Sequence, residues 1–543
     1  MDSFAELEPS ATNAVAAGAA LAQFVAAHSA VMGLVAEQRA TAEQKARWTA
    51  ALLRALALPA GTASPAWPAS VTALALQALR ILARERTACD AVYEPAAVGL
   101  LAAHAGIAAG DKFAESPVAV EALKCLSNVL LQDAPARSAF GDSPSVADAA
   151  LALQSPDCGV GAVFLLARLV FLGTVGNRDA SARVVKLGVC DRLAHFLTAL
   201  HTRSMAVRPD EAWISEPVVV NEILKTAFNL SVSIAEINTA TGSMPTIFGG
   251  PRPAAQRSAA DNPEREVMAR PFVKLLEAII DVYMQVPFAD LPLLAPHSHA
   301  IHFMMNVPVK PFNASWFAKY DHAIVSRTVD ALHATFLNVF PRPRPKKAGS
   351  SSAAANPSDS DGDEEYLAEI DGVNVEQALP PILILMRNWA NEDARARAML
   401  KSLLMPDNLD RSKPLGKGTG LTNYLISFMS SVSMLQIRDC VCELLLSACG
   451  DNVGELVTYV GYGNAAGFLM NRGIMAPPGG ADADASTGPS INPITGEFVR
   501  DEPRVDPFEG MTDEEKEREA ERLFVLFDRL QKTGVVKVVP KQD

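Results

Sequence analysis

The sequence predicts an all-α fold built from stacked pairs of helices, and three observations lead to this prediction. Hydrophobic residues make up 49% of the chain and aromatic residues 6%, with alanine and leucine prominent, as is typical of cores formed by packed helices. A short phrase recurs along the chain, each time after an apolar run. Within such runs, apolar residues such as Leu123, Leu126 and Leu130 recur every three or four positions and form one face of a helix.

The recurring phrase defines the repeat unit. It reads DAPAR at Asp133 to Arg137, DASAR at Asp179 to Arg183 and DARAR at Asp393 to Arg397. The windows Leu126 to Phe140 and Met386 to Leu400 align without gaps. We expect each aspartate to cap the helix that follows it. Because one helix pair cannot bury its apolar face alone, the sequence predicts an armadillo/HEAT-type helical superhelix whose concave side is the binding surface.

Changes in composition divide the chain into a core and a tail. We expect a solenoid core at 1–475 with a disordered loop near 341–365, where a basic, proline-rich piece passes into an acidic one. Residues 476–510 are rich in proline, glycine and aspartate and are predicted to be a flexible linker. In 511–543, Thr512 begins a capping box before an apolar helical pattern. The predicted architecture therefore ends in a C-terminal helical extension.

Charge and cysteine content narrow the classes of partner and compartment. The net charge of −13 argues against nucleic acid, since no basic face is evident, and favours a basic or mixed-charge protein partner. The seven cysteines lack a metal-binding CxxC pair and indicate free thiols in a reducing compartment. The uncharged run Ala11 to Ala36 is mostly alanine and follows Asp2, Glu6 and Glu8, which is unlike a signal peptide or a membrane span. We predict a cytoplasmic monomer without direct membrane insertion.

No motif in the sequence predicts covalent catalysis, a cofactor or a metal. The run Gly416 to Gly420 reads GKGTG, but the first glycine of a phosphate-binding loop would fall at Arg411. His297, His299 and His302 lie close together, yet no cysteine or carboxylate lies among them, so histidines at a loop and a helix start are expected. The sequence therefore predicts a binding protein and not an enzyme.

Polar residues at helical spacing are the candidate partner contacts. Arg80 and Arg84 lie one turn apart, so both guanidinium groups emerge on one face and can bind a carboxylate such as a peptide C-terminus. An ordinary solvated face is the alternative. Four asparagines occupy comparable places in apolar helices: Asn128, Asn229, Asn306 and Asn388. Their amides can bind a partner peptide or can satisfy neighbouring turns.

Several segments resemble the synembryn family. The segment Tyr459 to Arg472 (YVGYGNAAGFLMNR) is similar to the glycine-rich signature near the end of that family's armadillo core. Further similar segments are LRILARE at Leu79 to Glu85, TAFNLS at Thr226 to Ser231, HAIHFMMNVP at His299 to Pro308, NPITG at Asn492 to Gly496 and DPFEGMTDEEKEREAERLFVLFDRL at Asp506 to Leu530. The resemblance covers most of the chain and is weakest at its beginning and in the loops.

The resemblance implies a guanine nucleotide exchange factor and folding chaperone for α subunits of heterotrimeric G proteins (Gα), which it binds with GDP or without nucleotide. The Gα C-terminal helix would enter the concave groove, and the tail helix would support the loosened Ras-like domain. Positions that match the family's Gα contacts are Arg80, Arg84, Asn128, Phe228, Asn229, Asn306, Arg397, Lys401, Met511, Leu523, Phe524 and Phe527. A cytoplasmic protein that reaches the cell cortex through Gα is implied as well.

Two further interpretations stay open. Ser358 and Ser360 each precede an acidic residue by three positions and are candidate phosphorylation sites, with a merely solvated acidic linker as the alternative. A generic armadillo scaffold or transport adaptor is the alternative function. Such adaptors bind basic peptides along an acidic, tryptophan-lined groove, whereas the tryptophans of this chain show no repeat register. These tryptophans are Trp48, Trp67, Trp213, Trp316 and Trp389.

Overall fold

The computed structural model confirms the all-α stack of helices. It describes residues 13–57, 67–156, 158–202, 213–240, 263–339, 369–370, 373–412, 415–416, 420–473, 512, 514 and 517–518. A short antiparallel pair, β1 (Glu369–Ile370) and β2 (Val373–Asn374), interrupts the helices. The predicted loop near 341–365 and the predicted linker at 476–510 lie outside the described residues, so the proposed domain boundaries stay predictions.

Helices follow one another along the first half of the described chain. They are α1 (Ala14–His28), α2 (Ala42–Leu56), α3 (Ala69–Leu82), α4 (Pro95–Ala105), α5 (Pro117–Gln132), α6 (Ala134–Asp142), α7 (Ser145–Ala152), α8 (Val160–Thr174), α9 (Arg178–Lys186), α10 (Val189–His201) and α11 (Glu216–Ala240). Short 3₁₀ turns at Asp90–Val92 and Ile107–Lys112 complete this half.

The second half continues in the same manner. Its helices are α12 (Pro263–Ala269), α13 (Val273–Gln285), α14 (His297–Met304), α15 (Asn313–Phe317), α16 (Ala323–Val339), α17 (Val375–Glu392), α18 (Ala394–Leu404), α19 (Leu421–Met429), α20 (Leu435–Ala448), α21 (Val453–Val460) and α22 (Tyr462–Asn471). Two 3₁₀ turns lie at Arg270–Phe272 and Lys310–Phe312. No helix in the described ranges is long and apolar enough to cross a bilayer.

Backbone packing divides the chain into two units. The first comprises residues 1–485 and 493–497, and the second comprises residues 486–492 and 498–543. The helices listed above all belong to the first unit. In the second, Glu514, Glu517 and Arg518 are helical, in the region where the sequence predicts the C-terminal helix.

One continuous layer of helices runs through the first unit. In this layer each helix packs directly against the next, in the order α1, α3, α5, α8, α11, α14, α17 and α20. We call these eight the ladder helices. The other helices pack against this layer and one another, as α2 does on α3, α4 on α5, and α18 on both α17 and α20. This two-layered stacking of neighbours is the organisation that repeat proteins use to build a core.

The apolar stripes predicted from the sequence form that core. Leu123, Leu126 and Leu130 of α5 are completely buried, as expected for residues on the inner face of an amphipathic helix. The ladder helix α8 has buried residues along nearly its whole length because α5, α6, α7 and α11 all pack around it. All seven cysteines are free thiols, and six of them are buried. The core is therefore held together by apolar packing of helices on helices.

The capping prediction is confirmed at two of the three recurring phrases. The N–H of Ala136 donates to Asp133 and that of Ala396 donates to Asp393, so each aspartate caps the helix that follows it. The prediction is wrong for Asp179. There the N-cap is Asn177, whose side chain accepts the N–H of Ala180 at 2.9 Å.

The difference at the middle phrase has a local cause. Asn177 has an extended backbone and directly follows Gly176, whose φ of +68° makes the turn. An asparagine at that point caps as well as an aspartate does. Asp179 consequently lies inside the first turn of α9, where its negative charge still interacts favourably with the helix dipole.

A second recurring contact involves two arginines that donate hydrogen bonds to carbonyl oxygens at the C-terminal ends of ladder helices. Arg137 donates to the carbonyl oxygens of Leu130 and Leu131, at 3.0 Å each, and so satisfies the last turn of α5. Arg397 donates in the same way to two carbonyl oxygens of α17, at 2.6 and 3.2 Å. Cations at a helix C-terminus satisfy orphan carbonyls and favour the helix dipole. In both aligned windows, therefore, an arginine caps the C-terminus of the first helix and an aspartate caps the N-terminus of the second.

Candidate protein-binding surface on the ladder helices

Polar residues recur at fixed spacing on the ladder helices. Glu121, Lys124 and Asn128 of α5 have counterparts in Glu222, Lys225 and Asn229 of α11. Steps of three and four residues place all three side chains of a helix on one face. In α14 and the turn after it, His299, His302 and Asn306 occupy the same relative positions. The same pattern of three polar residues therefore occurs on α5, on α11, and on α14 with the turn after it. We call these residues together the polar stripe.

Ion pairs join this stripe across neighbouring ladder helices. Arg80 of α3 lies 3.3 Å from the carboxylate of Glu121, which also accepts from Lys124 at 2.9 Å. Farther along, Arg168 of α8 lies 3.8 Å from Glu222, and Lys225 lies 3.5 Å from the same carboxylate. In both clusters the carboxylate is more buried than the cations around it. The groups that face solvent are therefore mainly cations.

The predicted asparagines mostly bond to the preceding ladder helix. The Nδ2 of Asn229 donates to the Thr174 hydroxyl at 2.6 Å, and that of Asn306 donates to the Ser231 hydroxyl at 3.0 Å. Asn388 donates to a backbone carbonyl oxygen just after α14 at 3.0 Å. Asn128 is half-buried, and its side chain makes no hydrogen bond within the described ranges. Hydrogen bonding to neighbouring helices thus accounts for three of the four amides.

Arg84 has a different environment from Arg80. Its guanidinium donates to the carbonyl oxygens of Ser29 and Val31, at 2.8 and 2.6 Å, and so closes the turn after α1. Burial, together with the nearby guanidinium of Arg80, lowers the pKa of Arg84. The neighbouring Glu85 accepts the N–H groups of Val35 and Ala36, farther along the same connection. The structure therefore brings the two arginines close together but gives them separate partners.

Phe228 lies beside the histidines of α14. Its ring is partly buried and is 5.3 Å from the ring of His302. Burial, together with the charge of Lys225 and the neighbouring His302, lowers the pKa of His299 to about 4. Burial also lowers the pKa of His302, whose Nδ1 is 2.5 Å from the carbonyl oxygen of Ser298. This part of the stripe is therefore uncharged at neutral pH.

His297 and His302 contact backbone carbonyl oxygens, as histidines with a structural role commonly do. The Nε2 of His297 is 3.0 Å from the Val286 carbonyl oxygen. No three histidine, cysteine or carboxylate side chains converge around a metal-sized gap in the described part of the chain.

The later basic positions are engaged within the chain. Arg397 caps α17, as described above. Lys401 of α18 is paired with Glu455 of α21, and its ammonium lies 5.5 Å from the centre of the Tyr459 ring. The hydrogen bond to Glu455, assisted by the charges of Tyr459 and Glu455, raises the pKa of Lys401. Arg397 thus joins α18 to the ladder helix α17, and Lys401 joins α18 to α21 outside the ladder.

Six of the predicted positions cannot be placed. Met511, Leu523, Phe524 and Phe527, proposed from the tail, and the candidate phosphorylation sites Ser358 and Ser360 lie outside the described residues.

Trp213 belongs to the ladder surface but was not predicted as a site residue. It precedes α11 and lies edge-on to Phe164 of α8, with a ring-centroid distance of 6.1 Å. The Lys124 ammonium is 4.3 Å from the centre of the indole ring, within cation–π range. Trp213 has no repeat register in the sequence, because it lies in a connection between helices.

The chain is similar to known proteins over most of its length. Residues 75–543 match the model of a family described as guanine nucleotide exchange factor synembryn. Chaperone Ric-8A of Danio rerio is 25% identical over 505 residues, which cover 85% of this chain and 81% of that protein. Chaperone Ric-8A of Bos taurus is 26% identical over 492 residues, 87% of this chain and 83% of that protein. A shorter match of 179 residues, 31% of this chain and 32% of that protein, is 35% identical to Chaperone Ric-8A of Gallus gallus.

Proposed function

Because the chain belongs to the synembryn family of guanine nucleotide exchange factors, we propose that it binds Gα, accelerates the release of GDP and assists Gα folding. The family match over residues 75–543 carries this proposal. The name Chaperone Ric-8A, borne by relatives that align with more than four-fifths of this chain, supports the folding role.

We place the C-terminal helix of Gα along the polar stripe of the ladder helices. Arg80, Asn128, Phe228, Asn229 and Asn306 lie on or just after four ladder helices, α3, α5, α11 and α14. Cations and amides in such a row can bind the carboxylate and backbone carbonyls of a docked helix once Arg80, Asn229 and Asn306 exchange their present contacts within the chain. Their order along successive parts of the ladder supports this placement.

Further contacts are proposed with a condition attached. Like Arg80, Asn229 and Asn306, the residues Arg84, Arg397 and Lys401 have partners inside the chain, so each must exchange a present contact to engage Gα directly. The tail positions Met511, Leu523, Phe524 and Phe527 are proposed to support the loosened Ras-like domain. Phosphorylation at Ser358 and Ser360 is proposed as regulation in the earlier acidic segment.

Exchange of this kind needs no acid, base or covalent intermediate. A protein that prefers the nucleotide-free conformation of Gα weakens nucleotide binding by the same factor, because the two binding equilibria are linked. Withdrawing the C-terminal helix of Gα would loosen the guanine-contacting loop that it supports, which is a local unfolding step. The same preference for a partly opened Gα suits a folding chaperone. We accordingly propose a monomeric cytoplasmic binding protein that reaches the cell cortex through Gα.

GDP release from purified Gα tests the exchange activity. The full chain should accelerate the release of labelled GDP from intact Gα and should have little effect on Gα that lacks its last residues. Equal release with and without the chain would rule out exchange activity. For the chaperone role, Gα would be synthesised in a cell-free system with and without the chain. The yield of protease-resistant Gα should rise when the chain is present.

A further inference from the structure

Trp213 stands apart from the other tryptophans of this protein. The residue is 42% exposed, whereas Trp48, Trp67, Trp316 and Trp389 are at most 7% exposed. An indole ring buries a large apolar area when covered, and single aromatic side chains of this kind often dominate the free energy of a protein interface. The contacts with Phe164 and Lys124 fix the ring on one side. The other part of the ring is presented to solvent in a restricted orientation.

The charges around Trp213 are mainly positive at the surface. The carboxylates of Glu121 and Glu222 are 10% and 4% exposed, whereas the side chains of Lys124, Arg168 and Lys225 are 19%, 28% and 41% exposed. Arg168 also lies over the ring of Phe164, 5.5 Å from its centre. In a chain with a net charge of −13, the indole thus has Lys124 against its ring and Arg168 over the neighbouring Phe164, and Lys225 shares the Glu222 carboxylate with Arg168.

We infer that Trp213, Lys124, Arg168 and Lys225 form an anchoring surface for an amphipathic helix that carries carboxylates beside its apolar stripe. The inference rests on the proposed function in taking Gα as the protein that supplies this helix. An apolar side chain of the helix covers the exposed indole, and its carboxylates pair with the surrounding cations. Burial of the aromatic ring supplies affinity, while the charges select an acidic partner and raise the rate of association.

The charge pattern also bears on the class of partner. Single-stranded nucleic acids are anionic and stack their bases on aromatic rings. However, Phe164 and Lys124 already occupy part of the indole surface. The buried carboxylates beneath the cations also reduce the local positive potential that a phosphate backbone requires. These features favour a protein helix, which needs a few carboxylate contacts around an apolar anchor.

Fluorine NMR of the full chain labelled with 5-fluorotryptophan tests the inference directly. The chain has five tryptophans, and the resonance of Trp213 is assigned by its loss in Trp213→Phe. On addition of unlabelled, nucleotide-free Gα, the Trp213 resonance should shift or broaden, while those of the four buried tryptophans stay in place. Co-elution of Gα with an unchanged Trp213 resonance would overturn this inference and leave the proposed function standing. Failure of Gα to co-elute would overturn both.

Substitutions give an independent readout. Trp213→Ala should weaken Gα binding about ten-fold or more with only a small loss of thermal stability, which comes from the contacts with Phe164 and Lys124. Val432→Ala, at another exposed apolar residue, should leave binding unchanged. Lys225→Gln should lower affinity chiefly at low ionic strength, because an exposed pair is screened by salt.

The opposite results are equally informative. Equal losses for Trp213→Ala and Val432→Ala, or affinity that does not depend on salt, would contradict an acidic helix at this surface. A single-stranded RNA oligonucleotide serves as a competing probe. If it binds with Trp213-dependent broadening and Gα does not, the choice of a protein helix is wrong.

Discussion

Arg84 lies four residues after Arg80, just beyond the end of α3, and the two arginines bind partners of different kinds. Arg80 is ion-paired with Glu121 on the next ladder helix at 3.3 Å. Arg84 donates to backbone carbonyl oxygens of the turn that follows α1, on the opposite side along the ladder. The first contact can be exchanged for a partner carboxylate, whereas loss of the second leaves backbone carbonyls without their donor.

Substituting each arginine separately should distinguish these roles. Arg84→Met should lower the free energy of unfolding by about 1–3 kcal/mol, as expected for lost hydrogen bonds from a charged group. Arg80→Met should have a smaller effect on stability and a larger one on Gα affinity. Chemical denaturation gives the stability, and hydrogen exchange should show faster exchange at residues 29–40 in Arg84→Met alone. Equal destabilisation by both substitutions would refute this division.

The middle repeat offers a matched pair of capping variants. Asn177→Ala removes the side chain that accepts the Ala180 N–H and should destabilise the protein by about 1 kcal/mol. Asp179→Ala removes a charge from the first turn of α9 and should cost about 0.3–0.5 kcal/mol through the helix dipole. Urea denaturation compares the two variants with the unmodified chain. A larger loss for Asp179→Ala would mean that the aspartate is the true cap.

The helices and their repeat were predictable from local sequence, and the pairing of side chains was not. The apolar spacing of α5 and the caps Asp133 and Asp393 depend on residues within one or two turns, so composition and spacing indicate them. The contacts of Arg84 join residues 53 and 55 positions apart. Such partners are set by how the helices stack, about which spacing along one helix carries no information.

Some residues of the candidate site were likewise predicted from the sequence, and others were not. Of the positions carried over from the family resemblance, Arg80, Asn128, Phe228 and Asn229 fall on ladder helices and Arg84 and Asn306 lie just after them, whereas Arg397 and Lys401 lie on α18, outside the ladder. Trp213 was overlooked because its importance depends on exposure. Four of the five tryptophans are buried, and a tryptophan in a connection gives no sequence signal of which side faces solvent. The prediction that Asp179 caps α9 was wrong for a simpler reason, since Asn177 two positions earlier is an equally good cap.

A glycine pair tests how closely α6 and α8 pack. A Cβ atom on Gly141 would lie 2.3 Å from the carbonyl oxygen of Gly173, so the two helices must move apart to accept it. Gly141→Ala should therefore destabilise the protein by about 1–3 kcal/mol or more. Gly99→Ala is the control, because nothing lies within 4 Å of its Cβ position in α4. That substitution should stabilise the protein by about 0.5–1 kcal/mol.

The two glycine variants should differ in thermal melting as well as in urea. A lower melting temperature for Gly141→Ala and an unchanged or higher one for Gly99→Ala is the expected pattern. If Gly141→Ala melted like the unmodified chain, α6 and α8 would be farther apart than described.

The histidines of α14 should make stability depend on pH. In the folded chain the pKa of His299 is about 4 and that of His302 is lowered as well, chiefly because both are buried. Both side chains titrate at about 6.5 when exposed in the unfolded chain. Between these values the unfolded chain binds more protons, so stability falls as the pH is lowered from about 6.5 towards 4. Above pH 6.5 this loss is absent, because both rings are neutral in both states.

Replacing the two rings should flatten this pH dependence. His299→Gln combined with His302→Gln should weaken the decline in urea midpoint between pH 6.5 and about 4, while carboxylates such as Asp393 still contribute below that range. Although burial opposes its ionisation, the hydrogen bonds to Asp393 and the nearby His322 lower the pKa of Asp393. His195→Gln on the exposed side of α10 controls for the loss of a histidine as such. A double variant with the same slope as the unmodified chain would show that protonation of α14 does not oppose folding.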